Sequence, residues 1–407
     1  MRDRAQNAIA ECLRLAAFTE EPGRITRRFL TTPMHGVHDH LRVRMMELGM
    51  SVTVDGAGNM RGLWAPEGAN KRRLVIGSHV DTVPDAGAYD GVLGVCLGLE
   101  LVRIVKERKL AIAIEVIAFS EEEGVRFGVP FIGSRAVAGR FDPALLELKD
   151  AEGITLESAI RNYSLDPAKT ADAALDANAA AFLEIHIEQG PVLEAEGLSV
   201  AAVTDIVGQT RMRLRFAGHA NHAGTTPMHL RHDALAGAAE WIAAVERLAR
   251  ETEGLIATVG KIEVEPNAGN VVPGVATVSL DLRHSSDFVR VVALETLLAR
   301  AGEIANRRGL ALVSKRMMDQ PAVPMDERLT AFLVEAMEAL GLPPKTIPSG
   351  AGHDAMVMAS KVPTAMLFLR SPGGISHHPD EAVREQDVEN TLHVAASFIE
   401  RLAADLK

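Results

Sequence analysis

Between residues 74 and 207 the chain alternates two hydrophobic periods. Short apolar runs at 74–79, 111–119 and 181–187 have the β-rich composition of buried strands, while 91–107 and 154–162 space their apolar residues as helices do. Strands alternating with helices predict a parallel sheet covered by helices. At 208 the texture changes. "QTRMRLRFAG" alternates like a half-exposed strand; a helix pattern follows over 229–251, strands near 256–265 and 274–283, a helix over 287–307 and a strand over 309–316. That β-α-β-β-α-β order is the split-βαβ, ferredoxin-like motif. After Pro321 and Pro324 the pattern returns to helix (326–340), an apolar strand "PTAMLFLR" and a last helix (386–404), which complete the first sheet. The expected architecture is α/β. A mostly parallel-sheet domain comprises 1–207 and 321–407, and an inserted ferredoxin-like (α+β) lid and dimerisation unit spans 208–320, with hinges near 207 and 321.

Composition narrows the function. The 407 residues are 47% apolar, enough for real cores, and the net charge of −11 repels a phosphate backbone or an anionic bilayer. Neither nucleic acid nor membrane is an expected partner. The longest apolar stretches, such as "LAIAIEVIAF" (110–119), fall short of the roughly 20 residues a membrane span needs. The start "MRDRAQNAIAECLRLAAF" mixes charge into a helical period, unlike a leader peptide, and reads as a cytoplasmic N-terminus. Cys12 and Cys96 lie in apolar helical sequence and read as reduced packing residues.

The chemistry gathers where strands end. In an open α/β sheet the ligand crevice lies at the carboxyl ends of the strands. His79 and Asp81 follow the first apolar run; Ser120, Glu121, Glu122, Glu123 and Gly124 follow the second; Ser376, His377 and His378 follow "TAMLFLR". In "AFLEIHIEQG", Leu183, Ile185 and Ile187 face one way and Glu184, His186 and Glu188 the other. Singly, each histidine reads as a surface or hydrogen-bonded core residue, and the acidic run as a solvated loop. Together they form a crowd of acids and imidazoles that is untenable without positive charge. A pair of divalent cations supplies it, and this ligand set suits zinc, manganese or cobalt. Asp90, before the helix that begins at Gly91, is placed to bridge two ions about 3.5–4 Å apart. Asp81 is either a turn residue or the group that holds the other nitrogen of His79.

"GSHVDTVPDAGAYDGVLGV", "EEEGVRFG", "HIEQGPVLE", "GHANHAGTTPM", "NVVPG" and "GISHHPDE" stand in one order along the chain. Together they resemble the hydantoinase/carbamoylase branch of the dinuclear-metal aminoacylase and exopeptidase superfamily, which comprises N-carbamoyl-L-amino-acid hydrolases, allantoate amidohydrolases and β-ureidopropionases. The likeness runs from 53–62 to the final helix. It implies that His79, Asp90 and His186 hold one cation and Asp90, Glu123 and His377 the other, with Glu122 as general base. Glu123 is chosen as ligand because it precedes Gly124, though Glu121 leaves a one-residue ambiguity. His377 is preferred to His378 because it follows "IS" and stands two before Pro379. The resemblance further implies that His222 enters the partner subunit's site of a homodimer and contacts the scissile carbonyl oxygen. Asn270 and Arg283 would hold the substrate carboxylate, and Gln189 the ureido or carboxylate end. His353 falls in a family motif with a structural or substrate-proximal role. His219 stands where the family commonly has Gln and receives no function.

The reaction so implied is hydrolysis of a small ureido-carboxylate, an N-carbamoyl-L-amino acid, to the amino acid, ammonia and carbon dioxide. Water activated between the two cations would attack, with Glu122 moving its proton. Allantoate or a β-ureido acid is the alternative substrate. A dipeptidase or aminoacylase fits "HIEQGP" less well, and a non-catalytic metal binder would have lost Glu122.

Overall fold

The computed structural model describes residues 1–67 and 72–406. They divide into two compact units, Met1–Thr204 with Pro324–Lys407, and Asp205–Val323. The boundaries lie three residues outside the expected 208 and 320.

The larger unit is built on a nine-stranded mixed sheet. Its first strands are β1 (Ser51–Val54), β2 (Met60–Trp64), β3 (Arg73–His79), β4 (Ala113–Phe119), β5 (Ala179–Ile187) and β6 (Val200–Ile206). Four parallel strands, β4, β3, β5 and Thr364–Leu369, make the centre. They are buried on both faces. Central parallel strands therefore read as unbroken apolar runs, and the pattern was visible in the sequence. Antiparallel β1, β2 and β6 border them and carried no such signal, because β1 is half-exposed and Gly62 interrupts β2. The parallel register brings His79 opposite Phe119, and Ile187 opposite Leu369, so the central strands end on one rim.

On one face of the sheet, helix Val92–Glu107 packs on β3, β4 and β5, and Arg2–Ala16 and Glu385–Asp405 pack on that helix in turn. Gly94 permits the close approach, since a Cβ there would collide with the Ile185 carbonyl. Leu183, Ile185 and Ile187 join this core, in which Cys12 and Cys96 are buried as free thiols. Glu184 and His186 face the other way, toward the short helix Asp354–Met358: Glu184 accepts the Ala355 amide at 2.7 Å, and His186 meets the ring of His353.

The smaller unit is an antiparallel sheet in the order Ile262–Glu265, Val275–His284, Gly208–Ala217, Ala311–Gln320. Helices Ala234–Glu251 and Asp287–Arg308 pack against each other and on the sheet. The first of these starts at Ala234, later than the periodicity suggested, because the Asp233 carboxylate caps it by accepting the Ala236 amide at 2.9 Å. The strand expected over 256–265 is two shorter ones, Ile256–Thr258 and Ile262–Glu265. Among the described residues no helix is long and apolar enough to cross a membrane.

The helix Thr32–Glu47 buries one titratable group without a charge partner. His38 Nδ1 lies 3.1 Å from the Tyr163 hydroxyl while its Nε2 has no hydrogen-bond partner. Burial pulls its pKa from 6.5 to about 3. The folded state therefore refuses a proton that the unfolded chain accepts, and the stability gained from neutral His38 is lost as pH falls below 6.5. Lowering the pH from 7 to 5 should cost about 2 kcal/mol through this residue. Urea unfolding at both pH values checks it: the difference should shrink by that amount in His38→Phe.

Candidate active site

Strand β3 ends on His79, β5 carries His186 on its penultimate residue, and the loop after β3 ends on Asp90. Asp90 precedes Gly91, whose φ of 66° and missing Cβ are both required: a side chain there would overlap the His79 imidazole. This lets the Asp90 carboxylate reach between the imidazoles. Its Oδ1 lies 3.5 Å from His79 Nε2 and 3.1 Å from His186 Nε2, and its Oδ2 lies 3.2 Å from His377 Nε2. Glu123 Oε1 stands 3.3 Å from that same His377 nitrogen. Two ligand groups, His79–Asp90–His186 and Asp90–Glu123–His377, thus share Asp90, and a third joins His79 with Glu122 and Glu123.

Each imidazole of the first group is oriented from behind. His79 Nδ1 donates to the Asp81 carbonyl and His186 Nδ1 to the Ile187 carbonyl, both at 2.9 Å, which points each Nε2 at Asp90. Asp81 therefore holds His79 through its main chain. Its carboxylate serves the neighbouring loop instead, accepting the Glu122 and Glu123 amides at 3.2 and 3.1 Å. The acidic run is divided by the turn: Glu121, at φ 51°, points away and accepts the Arg126 and Phe127 amides at 3.0 and 2.9 Å. Burial and the charge of Asp81 push its pKa to about 8. Glu122 Oε2 stays 4.0 Å from His79 Nε2.

The electrostatics bear on whether cations fit. Asp90 Oδ1 is buried without a hydrogen-bond donor. Burial works to raise the Asp90 pKa, yet His186, His377 and His79 hold it well below the carboxylate range. The same acids lift the imidazoles: Glu122 and Asp90 raise His79 well above its usual value against the effect of burial, and Asp90 and Glu123 raise His377 to about 10. An unpartnered buried oxygen among imidazoles that all demand positive charge is what a metal pair would satisfy. The donor set fits divalent cations.

Around this centre, Gln189 Nε2 donates to Asp90 Oδ2 at 3.0 Å, and Ser376 Oγ does so at 3.1 Å. Glu381, which no sequence argument singled out, accepts the Tyr89 and Asp90 amides at 2.9 and 3.0 Å and fixes the bridging residue from behind. Its partners are nearly three hundred residues away in sequence, and although it ends the stretch "GISHHPDE", nothing local gives it this task. His353 is buried beside His186, ring centroids 4.5 Å apart, with Nε2 2.9 Å from Ser349 Oγ; burial holds it well below its usual pKa, so it packs as a neutral ring. His378 turns away, its Nδ1 accepting the Asp380 amide.

The smaller unit carries the remaining expected residues. His222 and Asn270 meet at a two-stranded ladder, where Val271 pairs with His222 and the Asn270 carbonyl accepts the Ala223 amide. His222 is exposed, and its Nδ1 accepts the Gly224 and Thr225 amides at 3.1 and 3.2 Å. His219 is exposed nearby. Arg283 is elsewhere, near the end of strand Val275–His284, with its Nε and Nη2 on Asp281 at 2.8 and 3.0 Å.

Imidazoles and carboxylates converge at the carboxyl ends of a parallel sheet, with a further buried acid beside them, and form groups that could hold metal ions. Residues 75–401 match the model of Peptidase family M20/M25/M40, and the chain belongs to that metal-dependent family. It is similar to an N-carbamoyl-L-amino acid amidohydrolase of Geobacillus stearothermophilus, 40% identical over 90% of each chain. It is likewise similar to an allantoate deiminase of Arabidopsis thaliana, 36% identical over 97% of this chain and 81% of the relative. A crystal structure of an amidase of the hydantoinase/carbamoylase family from Burkholderia multivorans superposes with TM-score 0.92 at 33% identity, covering 98% and 97% of the two chains.

The site makes Gly91→Ala a severe change through both its left-handed backbone and the overlap with His79. Metal retained after dialysis, measured by elemental analysis, should fall below that of the unmodified chain, while His378→Ala should retain it fully.

Proposed function

We propose that this protein is a metal-dependent amidohydrolase that cleaves the ureido C–N bond of N-carbamoyl-L-amino acids, releasing ammonia and carbon dioxide. The enzyme is a hydrolase acting on carbon–nitrogen bonds, as its relatives' names state of them. One observation carries the reading at the site: the two oxygens of Asp90 face separate imidazole sets while the buried acid Glu122 stands alongside. His79, Asp90 and His186 would hold one cation, and Asp90, Glu123 and His377 the other. When bound, such cations supply the positive charge that acidifies water and polarises a carbonyl.

The chain's own residues have distinct tasks. Glu122 takes the proton of the attacking water and delivers it to the leaving amine; burial and the charge of Glu123 raise its pKa well above the usual range, which suits an acid that must hold a proton between steps. His222, with Nδ1 accepting two amides, carries its proton on Nε2 when neutral and offers it to the scissile carbonyl oxygen. Arg283, oriented by Asp281, takes the substrate carboxylate with Asn270, and Gln189 the ureido end.

Geometry within the inserted unit supports a homodimer. Val275 pairs with Ala217 beside the His222 loop, whereas Arg283 pairs with Gln209, so about 26 Å of strand at roughly 3.3 Å per residue separates the two ends. No small substrate spans that. His222 and Asn270 of one subunit would therefore complete the site of its partner, with Arg283 serving its own, and the insertion acts as lid and dimerisation unit.

Allantoate is the second reading, favoured by the allantoate deiminases among the relatives. Ammonia release from N-carbamoyl amino acids, allantoate and β-ureidopropionate, after chelation and add-back of Mn²⁺, Zn²⁺ or Co²⁺, decides between them. Chelation should abolish turnover and one cation should restore it. Glu122→Gln should lower kcat by at least about 100-fold with unchanged metal content. Undiminished turnover in that variant would remove Glu122 from the mechanism, and silence across the whole panel would favour a peptidase.

A further inference from the structure

The loop from Val80 to Tyr89 carries metal ligands at both of its ends, yet it contains no regular secondary structure. Its geometry is set by a segment far upstream. Ile25 O accepts the Ala86 amide at 2.8 Å, and Thr26 Oγ1 accepts the Asp85 amide at 3.0 Å. Arg27 adds a reciprocal pair with Thr82: its amide donates to Thr82 Oγ1 and its carbonyl accepts the Thr82 amide, both at 3.0 Å. The Arg27 side chain is 1% exposed. Its Nε donates to the Val80 carbonyl at 2.7 Å, and its Nη1 to the Leu15 and Phe18 carbonyls at 2.9 and 3.1 Å.

A fully buried guanidinium that pairs with no carboxylate among the described residues is an expensive arrangement. Burial lowers its pKa to about 10, which still leaves it charged at neutral pH. All three acceptors of the side chain are carbonyls. Leu15 is in the last turn of helix Arg2–Ala16 and Phe18 lies two residues past its end, where the helix dipole places partial negative charge. The Val80 carbonyl stands between His79 and Asp81, and it is the Asp81 carbonyl that orients His79 Nδ1.

We propose that Arg27 is a positioning residue for the metal centre, tying the end of the first helix to the His79–Asp81 turn so that the His79 imidazole and the Asp81 carboxylate are delivered in fixed orientation. A planar fork is needed because three carbonyls from two elements are served at once; a lysine ammonium on a single stem cannot match their directions. The inference rests on the two-cation reading of the site.

Its test uses the full chain, Arg27→Met and Arg27→Lys, and Mn²⁺ or Zn²⁺ as probe. Competition against a fluorescent chelator should show metal bound roughly 10- to 100-fold more weakly in Arg27→Met, the range seen when groups that orient metal ligands are removed, and a smaller loss in Arg27→Lys. The rise in Tm on adding metal should shrink in both, and kcat should fall at saturating metal with little change in KM. A merely structural role would lower the metal-free Tm but leave the metal-induced rise intact. Metal affinity equal to that of the unmodified chain in either folded variant overturns the proposal. An unmodified chain that gains no Tm from metal would instead overturn the two-cation reading, and this inference with it.

Discussion

Everything at the site depends on one carboxylate set between imidazoles. Asp90 is buried, its Oδ1 lacks a donor, and three histidines and a second acid close around it. In a low-dielectric rim that arrangement is stable only if positive charge resides there, as protons on the imidazoles or as cations. The elevated pKa values of His79 and His377 and the depressed one of Asp90 are two sides of that demand. Cations would satisfy it by taking up the imidazole lone pairs in place of protons.

The surrounding fold holds this charge density in place by gripping main-chain groups. Glu381 accepts two amides beside Asp90, Asp81 accepts two amides beside the Glu122–Glu123 pair, and Arg27 donates to the carbonyl after His79. Buried charged side chains are used here as braces for loops, each satisfied by several hydrogen bonds, which is how a site on irregular backbone becomes rigid. The parallel sheet provides the common floor, since its register ends the central strands together.

The inserted unit follows a different logic. Its longest strands separate His222 and Asn270, at the two-stranded ladder, from Arg283, which pairs with Gln209 near the opposite end of the sheet.

Periodicity alone made the central strands β3, β4 and β5, the helices over 91–107, 287–307 and 386–404 and the β-α-β-β-α-β order of the insertion legible, because continuous burial and helical spacing leave strong local signatures; the helix Thr32–Glu47 was not among those read. The short edge strands β1 and β2 left none, being half-exposed or interrupted by glycine. Strand ends drew attention to His79 and the Glu121–Glu123 run, alternation within a strand to His186, and the start of the next helix to Asp90, since a sheet delivers whatever follows its strands to one rim. Which glutamate turns inward depended on the positive φ of Glu121, and the task of Asp81 on which amides lay within its reach. The tasks of Glu381 and Arg27 were not legible, because only tertiary packing creates the buried amides and carbonyls that they serve.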